Sequence, residues 1–180
     1  IKHIFSNWYC NMTDLPYSRA MEANGIFLIL ENIRSVENVG SIFRTADAAG
    51  VGKIYLVGYT PAPTDRFGRE RRDFAKVSLG AEKNIAWEAK SDILALISEL
   101  KAQGVQIISI EQSPKAIDYR STKVTLPVAF IYGNEVDGVT SEALAASDKV
   151  VAIPMKGKKE SLNVSVSVGI SLFRLLENVR

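Results

Sequence analysis

The sequence predicts an α/β fold in which a mostly parallel β-sheet is covered by helices on both faces. Short apolar runs recur along the chain and turn-rich or helical stretches separate them, which is typical of strands buried on both sides. The length of 180 residues, with 47% hydrophobic residues, suits a single core. We expect an N-terminal arm over residues 1–24 and one domain over residues 25–180.

Six apolar runs mark the expected strands. They cover residues 26–30, 53–57, 84–87, 105–110, 127–132 and 149–153. The helical spacing of Val39, Ile42 and Phe43 predicts a helix after the first run. A second helix is expected over residues 91–103, and Gly104 provides a C-terminal stop for it.

The last expected helix has apolar residues on two sides. One stripe consists of Val164, Val168, Leu172, Leu175 and Val179, and the stripe on the far side consists of Val166, Ile170 and Phe173. One sheet face cannot bury both stripes, so this helix either lies deep in its own fold or also packs against a second subunit of a homodimer. Residues 162–168 also fit a strand, but the apolar pattern over residues 171–179 favours a helix.

The composition excludes several kinds of chemistry. The chain has one cysteine, Cys10, and one histidine, His3, so we expect no metal site, no disulfide framework and no histidine-dependent nucleophile. Neither a dinucleotide-binding nor a phosphate-loop signature is complete. The formal net charge of +2 does not by itself indicate nucleic acid. No apolar run is long enough to cross a membrane, so we expect a soluble, cytoplasmic protein.

Three polar stretches each follow a predicted strand, over residues 31–40, 133–138 and 154–163. Ligands of α/β sheets bind beyond the carboxyl ends of the strands. These stretches therefore meet at one crevice if their strands are neighbours, and this convergence is the central structural expectation.

The first stretch leads into a helix. Asn38 is expected to be the N-cap of that helix. Arg44 points almost opposite the apolar stripe and so away from the sheet. The alternative for Arg44 is a solvated arginine paired with Asp47, three residues further on.

The second and third stretches each have two interpretations. Glu135 and Asp137 lie between two glycines and belong either to a ligand site or to a tight surface turn. Ser161 and Asn163 lie at the start of the last helix, where either could cap it.

Taken in order, the three stretches resemble the motifs of the SpoU family of RNA ribose 2′-O-methyltransferases, in the knotted SPOUT class. The matching positions are Asn38, Gly40, Arg44, Gly133, Asn134, Glu135, Gly138, Ile153, Pro154, Met155, Ser161, Leu162, Asn163 and Val164. The resemblance spans about residues 25–176. It implies a C-terminal trefoil knot, S-adenosylmethionine as methyl donor, and the ribose 2′-hydroxyl of a nucleotide in tRNA or rRNA as acceptor. A homodimer is implied as well.

The resemblance also implies roles for individual positions. Four positions would hold the donor, largely through backbone groups: Gly133, Ile153, Met155 and Leu162. Five positions would act in catalysis or substrate placement: Asn38, Arg44, Glu135, Ser161 and Asn163.

Arg44 is not suited to remove a proton, because a guanidinium group stays protonated in proteins. We expect Arg44 to bind the phosphate of the target nucleotide and to stabilise the alkoxide charge that develops on the hydroxyl. The proton of the hydroxyl then goes to Glu135, to a phosphate or to water.

Basic clusters at two places are candidate RNA-binding surfaces. The residues expected to contact RNA are Arg66, Arg69, Arg71, Arg72, Lys156 and Lys158. Phe67 and Phe74 lie near the arginines, and an aromatic ring there could stack on an unpaired base. The alternative for the arginines is a solvated loop balanced by neighbouring acids. Two other functions stay open: an inactive RNA-binding or assembly protein on the same scaffold, and an unrelated α/β enzyme acting on a small metabolite.

Overall fold

A single parallel sheet forms the centre of the computed structural model, which describes residues 25–177 and 179. In this part of the chain the strands are β1 (Ile26–Glu31), β2 (Lys53–Val57), β3 (Ala86–Lys90), β4 (Gln106–Ile110), β5 (Ile117–Asp118), β6 (Val128–Tyr132) and β7 (Lys149–Ala152). Their order across the sheet is β3-β2-β1-β6-β4-β7-β5, and every neighbouring pair is parallel. The arm expected over residues 1–24 lies outside the described residues.

Helices cover both faces of this sheet, as the sequence predicts. They are α1 (Val36–Ala49), α2 (Arg72–Ser78), α3 (Ala81–Asn84), α4 (Ile93–Ala102), α5 (Ser141–Ala146) and α6 (Val164–Leu176). One core cluster joins α1, α2, α3 and α6 to strand residues such as Leu28, and the other joins α4 and α5 to strand residues such as Ile29. Consecutive residues of β1 thus face opposite layers, and both are fully buried.

The predicted elements differ from the structure at several places. The strand predicted over residues 84–87 is wrong in position, because Asn84 ends helix α3 and β3 follows it. The arginine-rich stretch, interpreted as mostly loop, contains helix α2. Strand β5 has two residues, too few to form an apolar pattern.

Helix α1 begins before Asn38, so the prediction that Asn38 is its N-cap is wrong. Ser35 takes that position, and its hydroxyl accepts a hydrogen bond from the backbone N–H of Asn38 at 3.0 Å. Asn38 therefore lies in the first turn of α1, and its side chain is available for other partners. The helix ends at Gly50, whose φ of 76° suits glycine.

Gly40 allows α1 and α2 to approach each other closely. A β-carbon at Gly40 would lie 2.9 Å from the β-carbon of Val77 in α2. Nearby, the rings of Phe43 and Phe74 meet edge to face, with centroids 5.2 Å apart. This contact fixes the helix that carries Asn38 and Arg44.

Helix α6 has the two apolar stripes that the sequence predicts, except that the helix ends at Leu176, so the prediction that Val179 belongs to the first stripe is wrong. Val164, Val168, Leu172 and Leu175 are buried and α6 packs against α1. On its other side, Val166, Ile170 and Phe173 are 47%, 38% and 54% exposed. In the described part of the chain, no helix combines the length and apolar character needed to cross a membrane.

Candidate active site

The loops that follow β1, β6 and β7 meet at the carboxyl edge of the sheet. Glu135, after β6, accepts hydrogen bonds from the backbone N–H groups of Arg34 and Ser35 at 3.1 and 3.3 Å, and from Nδ2 of Asn38 at 2.8 Å. Asn163, after β7, donates from Nδ2 to Oδ1 of Asn38 at 3.0 Å. The three polar stretches meet as predicted and side-chain hydrogen bonds hold them together, but only β1 and β6 are neighbours, because β4 lies between β6 and β7.

The carboxylate of Glu135 is stabilised in its charged form. Partial burial opposes ionisation, but hydrogen bonds from the backbone of Arg34 and the side chain of Asn38 outweigh that effect and lower the pKa of Glu135. This carboxylate accepts two hydrogen bonds from the loop after β1 and one from the first turn of α1, and its affinity for protons is lowered. It is therefore better suited to holding this loop than to removing a proton from a substrate.

Asn134 keeps the adjoining turn rigid. Its side chain is 6% exposed, and Nδ2 donates to the carbonyl of Asn32 at 2.8 Å and to the hydroxyl of Tyr59 at 2.7 Å. Its Oδ1 accepts from the backbone N–H groups of Val136 and Asp137 at 2.7 and 3.0 Å. All four hydrogen-bonding positions of this amide are used, so the turn that presents Glu135 is fixed on both sides.

Gly133 and Gly138 are needed because other atoms of this chain come close to them. A β-carbon at Gly133 would lie 2.2 Å from the backbone of Gly138 and Val139. At Gly138, whose φ is +72°, it would lie 2.3 Å from Oε2 of Glu111. The structure thus gives both glycines a packing role within the turn.

A cleft of about 80 Å³ lies beside the three loops, at the ends of β4, β6 and β7. Its lining residues are Ile110, Glu111, Gln112, Tyr132, Gly133, Ile153, Ser161, Leu162, Val164 and Ser167. It includes three of the four residues predicted to hold the donor, Gly133, Ile153 and Leu162. The fourth, Met155, is half-buried and is not part of the lining.

The cleft has backbone groups that a ligand can use. In the described part of the chain, the backbone N–H groups of Ile153 and Leu162 have no hydrogen-bond partner. Nε2 of Gln112 donates to the carbonyl oxygen of Ile153 at 2.8 Å. The N–H groups are available to an acceptor on a ligand, whereas the carbonyl is already engaged by a side chain.

Two cleft residues, Glu111 and Gln112, were missed by the sequence interpretation. Glu111 accepts hydrogen bonds from the backbone N–H groups of Val139 and Gln112 at 2.9 and 2.7 Å, which ties the end of β4 to the turn after β6. Their position directly after a predicted strand was the only signal in the sequence. Position alone does not identify a site residue, and the neighbouring sequence has no recognisable motif.

Arg44 is exposed, and within the described residues its side chain makes neither a hydrogen bond nor an ion pair. The alternative pairing with Asp47 does not occur.

Ser161 lies at the cleft, and Asn163 is the N-cap of α6, with Oδ1 accepting from the backbone N–H of Ser165 at 2.9 Å. Of the two proposed caps, the structure selects Asn163.

The arginine cluster is partly neutralised. Arg69 pairs with Asp65 at 2.7 Å and Arg71 pairs with Asp73 at 2.6 Å. Arg66 and Arg72 have no ion pair in the described part of the chain. The same holds for the lysines of the third stretch, Lys156, Lys158 and Lys159, all of which are exposed.

This parallel α/β sheet, with a cleft of mixed polar and apolar lining at its carboxyl edge, has the form of a ligand-binding enzyme domain. Residues 25–173 match the family model described as the SpoU rRNA Methylase family. Because this match covers most of the chain, the protein belongs to that family.

The names of two curated relatives describe methyltransferases that act on RNA. The tRNA (guanosine(18)-2'-O)-methyltransferase of Escherichia coli K12 is 34% identical over 144 residues, which are 80% of this chain and 59% of the relative. The 23S rRNA (guanosine-2'-O-)-methyltransferase RlmB of Nitrosomonas europaea is 32% identical over 166 residues, covering 92% and 60% of the two chains. This chain spans about three fifths of the length of these relatives.

Solved structures share the fold. An AdoMet-bound rRNA methyltransferase from Sinorhizobium meliloti has a TM-score of 0.77 and 29% identity, with 86% of this chain and 57% of that chain covered. The TrmH/SpoU tRNA modifying enzyme of A. aeolicus has a TM-score of 0.73 and 26% identity, with 91% and 85% covered.

Proposed function

We propose that this protein transfers a methyl group from S-adenosylmethionine to the ribose 2′-hydroxyl of a nucleotide in tRNA or rRNA. The observation that carries the proposal is the hydrogen-bonded meeting of Asn38, Glu135 and Asn163 beside a cleft. The names of the E. coli and N. europaea relatives support RNA as the substrate and the 2′-oxygen as the acceptor.

The cleft residues fit the methyl donor. Backbone N–H groups of Ile153 and Leu162 would bind acceptor atoms of S-adenosylmethionine, and Ile110, Tyr132 and Val164 would contact its apolar parts. When bound, the donor supplies an electrophilic methyl carbon on a positively charged sulfur. Sites for small molecules usually measure about 300–1,000 Å³, so the donor would extend beyond this cleft or displace the side chain of Gln112 from Ile153.

Arg44, Asn38, Asn163 and Ser161 would position the acceptor. Arg44 presents an unpaired guanidinium that can donate two parallel hydrogen bonds to the target phosphate. The same group can stabilise negative charge on the attacking oxygen. Glu135 would act indirectly, by holding Asn38 and its loop. Because its carboxylate is already engaged by three hydrogen bonds that hold Asn38 and the loop after β1, we assign the proton of the hydroxyl to a phosphate of the RNA or to water.

RNA would be bound by basic residues around this edge, all of them exposed except the half-buried Arg71. The candidates are Arg66, Arg69, Arg71, Arg72, Lys156 and Lys158. Arg66, Arg72 and the lysines keep their charge uncompensated by ion pairs in the described residues, which favours phosphate binding.

Further parts of the proposal concern the architecture. A homodimer would cover Val166, Ile170 and Phe173, whose exposure on one side of α6 is otherwise unfavourable. Residues 25–180 would form one domain with a C-terminal trefoil knot, as the family resemblance implies. A cytoplasmic location would give the protein access to tRNA and rRNA.

Two measurements on the full chain test this function. Isothermal titration with S-adenosylmethionine should show saturable binding, and tritium from the labelled methyl group should appear in a 2′-O-methylated nucleoside after digestion of total cellular RNA. Binding without transfer would favour the inactive RNA-binding alternative. Tritium only in a methylated base, or only in a small metabolite, would overturn the proposal.

A further inference from the structure

The segment between β2 and α2 forms a short hairpin over residues 64–70. Thr64 and Glu70 pair as an antiparallel bridge. The N–H of Asp65 donates to the carbonyl of Arg69, and the carbonyl of Asp65 accepts from the N–H of Gly68, both at 2.9 Å. Gly68 has a φ of +77°, which allows the tight return of the chain. We call this segment the 64–70 hairpin.

One carboxylate organises the tip of the 64–70 hairpin. Oδ1 of Asp65 accepts from the backbone N–H groups of Phe67 and Arg69 at 2.8 and 3.0 Å, and Oδ2 accepts from Nε of Arg69 at 2.8 Å. The side-chain hydrogen bond from Arg69 is the largest cause that lowers the pKa of Asp65. The tip therefore has a defined conformation before any partner binds.

This defined tip carries an aromatic ring out into solvent. Phe67 is 66% exposed and belongs to neither core cluster. The guanidinium carbons of Arg66 and Arg69 lie 4.7 and 5.1 Å from the centre of its ring. An exposed phenylalanine held on a rigid turn between two arginines contributes little to folding, which indicates a partner that takes both a flat apolar surface and positive charge.

The hairpin leaves the sheet at the edge where the candidate active site lies. It follows the carboxyl end of β2, next to β1 in the sheet. The segment that leads into the hairpin is tied to β1 and the loop after it by Thr60, whose hydroxyl accepts from the backbone N–H of Ile33 at 3.1 Å and donates to the carbonyl of Leu30 at 2.9 Å. Tyr59 is hydrogen-bonded to Asn134 of the site.

We propose that the 64–70 hairpin stacks an unpaired nucleotide base of the RNA on the exposed ring of Phe67, while Arg66, which has no ion pair among the described residues, binds an adjacent phosphate. Every base has a flat face that stacks on aromatic rings or guanidinium planes, but in an A-form duplex these faces are occupied by neighbouring base pairs. The substrate is thus an RNA in which a single-stranded nucleotide lies near the methylated ribose. This inference rests on the proposed function.

The test compares Phe67→Leu, which removes the ring, with Phe67→Tyr, which keeps it. Binding of a short single-stranded oligoribonucleotide and of the blunt duplex that it forms with its complement is measured for each full-length variant at one salt concentration. Phe67→Leu should weaken binding of the single strand roughly tenfold, as expected for one lost stacking contact, and leave duplex binding unchanged. Phe67→Tyr should bind both as the wild type does. Leu79→Ala, which truncates another exposed apolar residue outside the hairpin, is the control and should change neither.

Titration of the same proteins with S-adenosylmethionine separates the possible failures. If the wild type binds donor and RNA while Phe67→Leu binds the single strand with wild-type affinity, or loses affinity equally for the duplex, the stacking inference is wrong and the proposed function stands. If the wild type binds neither donor nor RNA, both are overturned.

Discussion

The side-chain amide of Asn163 donates to the amide oxygen of Asn38 at 3.0 Å, although the two residues are 125 positions apart in the chain. Asn163 is the N-cap of α6, and Asn38 lies in the first turn of α1. Glu135 binds the other end of the Asn38 amide. Three distant segments are therefore linked by one asparagine.

Replacing Glu135 by glutamine should loosen this arrangement. Glutamine offers one acceptor oxygen instead of two, and its NH₂ group would face donors of the loop after β1. We expect the free energy of unfolding to fall by about 1 kcal/mol and methyl transfer to slow roughly 10- to 100-fold because Asn38 is displaced.

Asp137→Asn is the matched control for that substitution. Asp137 is exposed, and its nearest cation, Arg34, is 3.8 Å away. In this variant, the free energy of unfolding and the rate of methyl transfer should stay close to those of the wild type. Equal losses in both variants would show that Glu135 has no special role in the site.

The contribution of Glu135 to stability should depend on pH. Its pKa is lower in the folded chain than the ordinary value of about 4.3, so the contribution is complete above that value and is lost as the pH falls through the folded pKa. Denaturant titrations of the wild type and Glu135→Gln at a series of pH values should show the difference between them shrinking below about pH 4. A difference that stays constant under acid conditions would contradict the assignment.

Gly40→Ala should destabilise the protein even though alanine is the better helix former. The new methyl group would come within 2.9 Å of the β-carbon of Val77, so α1 and α2 would have to move apart. This should cost about 1–3 kcal/mol, which exceeds the stabilisation expected from the higher helix propensity of alanine. Gly169→Ala in α6 is the control, because its nearest contact would be 3.9 Å away. Thermal unfolding should show a lower midpoint for the first variant and an equal or higher midpoint for the second.

Arg44→Lys should reduce turnover by roughly tenfold or more while RNA affinity changes little, because lysine keeps the charge but not the planar pair of donors. Single-turnover methylation at saturating RNA measures this effect, and direct RNA binding is measured on the same preparation. Near-normal turnover with unchanged RNA binding would exclude a bidentate role for Arg44.

Several parts of the fold could be predicted from the sequence because the physical signal was local. Strands β1 and β6 are buried on both faces, so each appears as a continuous apolar run. The two stripes of α6 follow directly from helical periodicity. The convergence of the polar loops followed from parallel strands, whose carboxyl ends share one edge.

Other features depended on distant contacts. Ser35 and Asn38 are both good N-caps, and the side-chain amide of Asn38 is engaged by Glu135, 97 positions away. The charged segment of α2 has one fully buried apolar residue, Phe74, and packs against α1 beside Gly40. Strand β4 lies between β6 and β7, and this order brings Glu111 into the cleft.

The acceptor oxygen is the centre of the account, and one substitution in the RNA tests it directly. Once the methylated nucleotide is mapped, the same RNA is synthesised with a 2′-deoxyribose at that single position and incubated with the protein and labelled S-adenosylmethionine. We predict wild-type binding of this RNA and no incorporation of label. Incorporation into the deoxy-substituted RNA at the rate seen with the unmodified RNA would contradict transfer to the ribose.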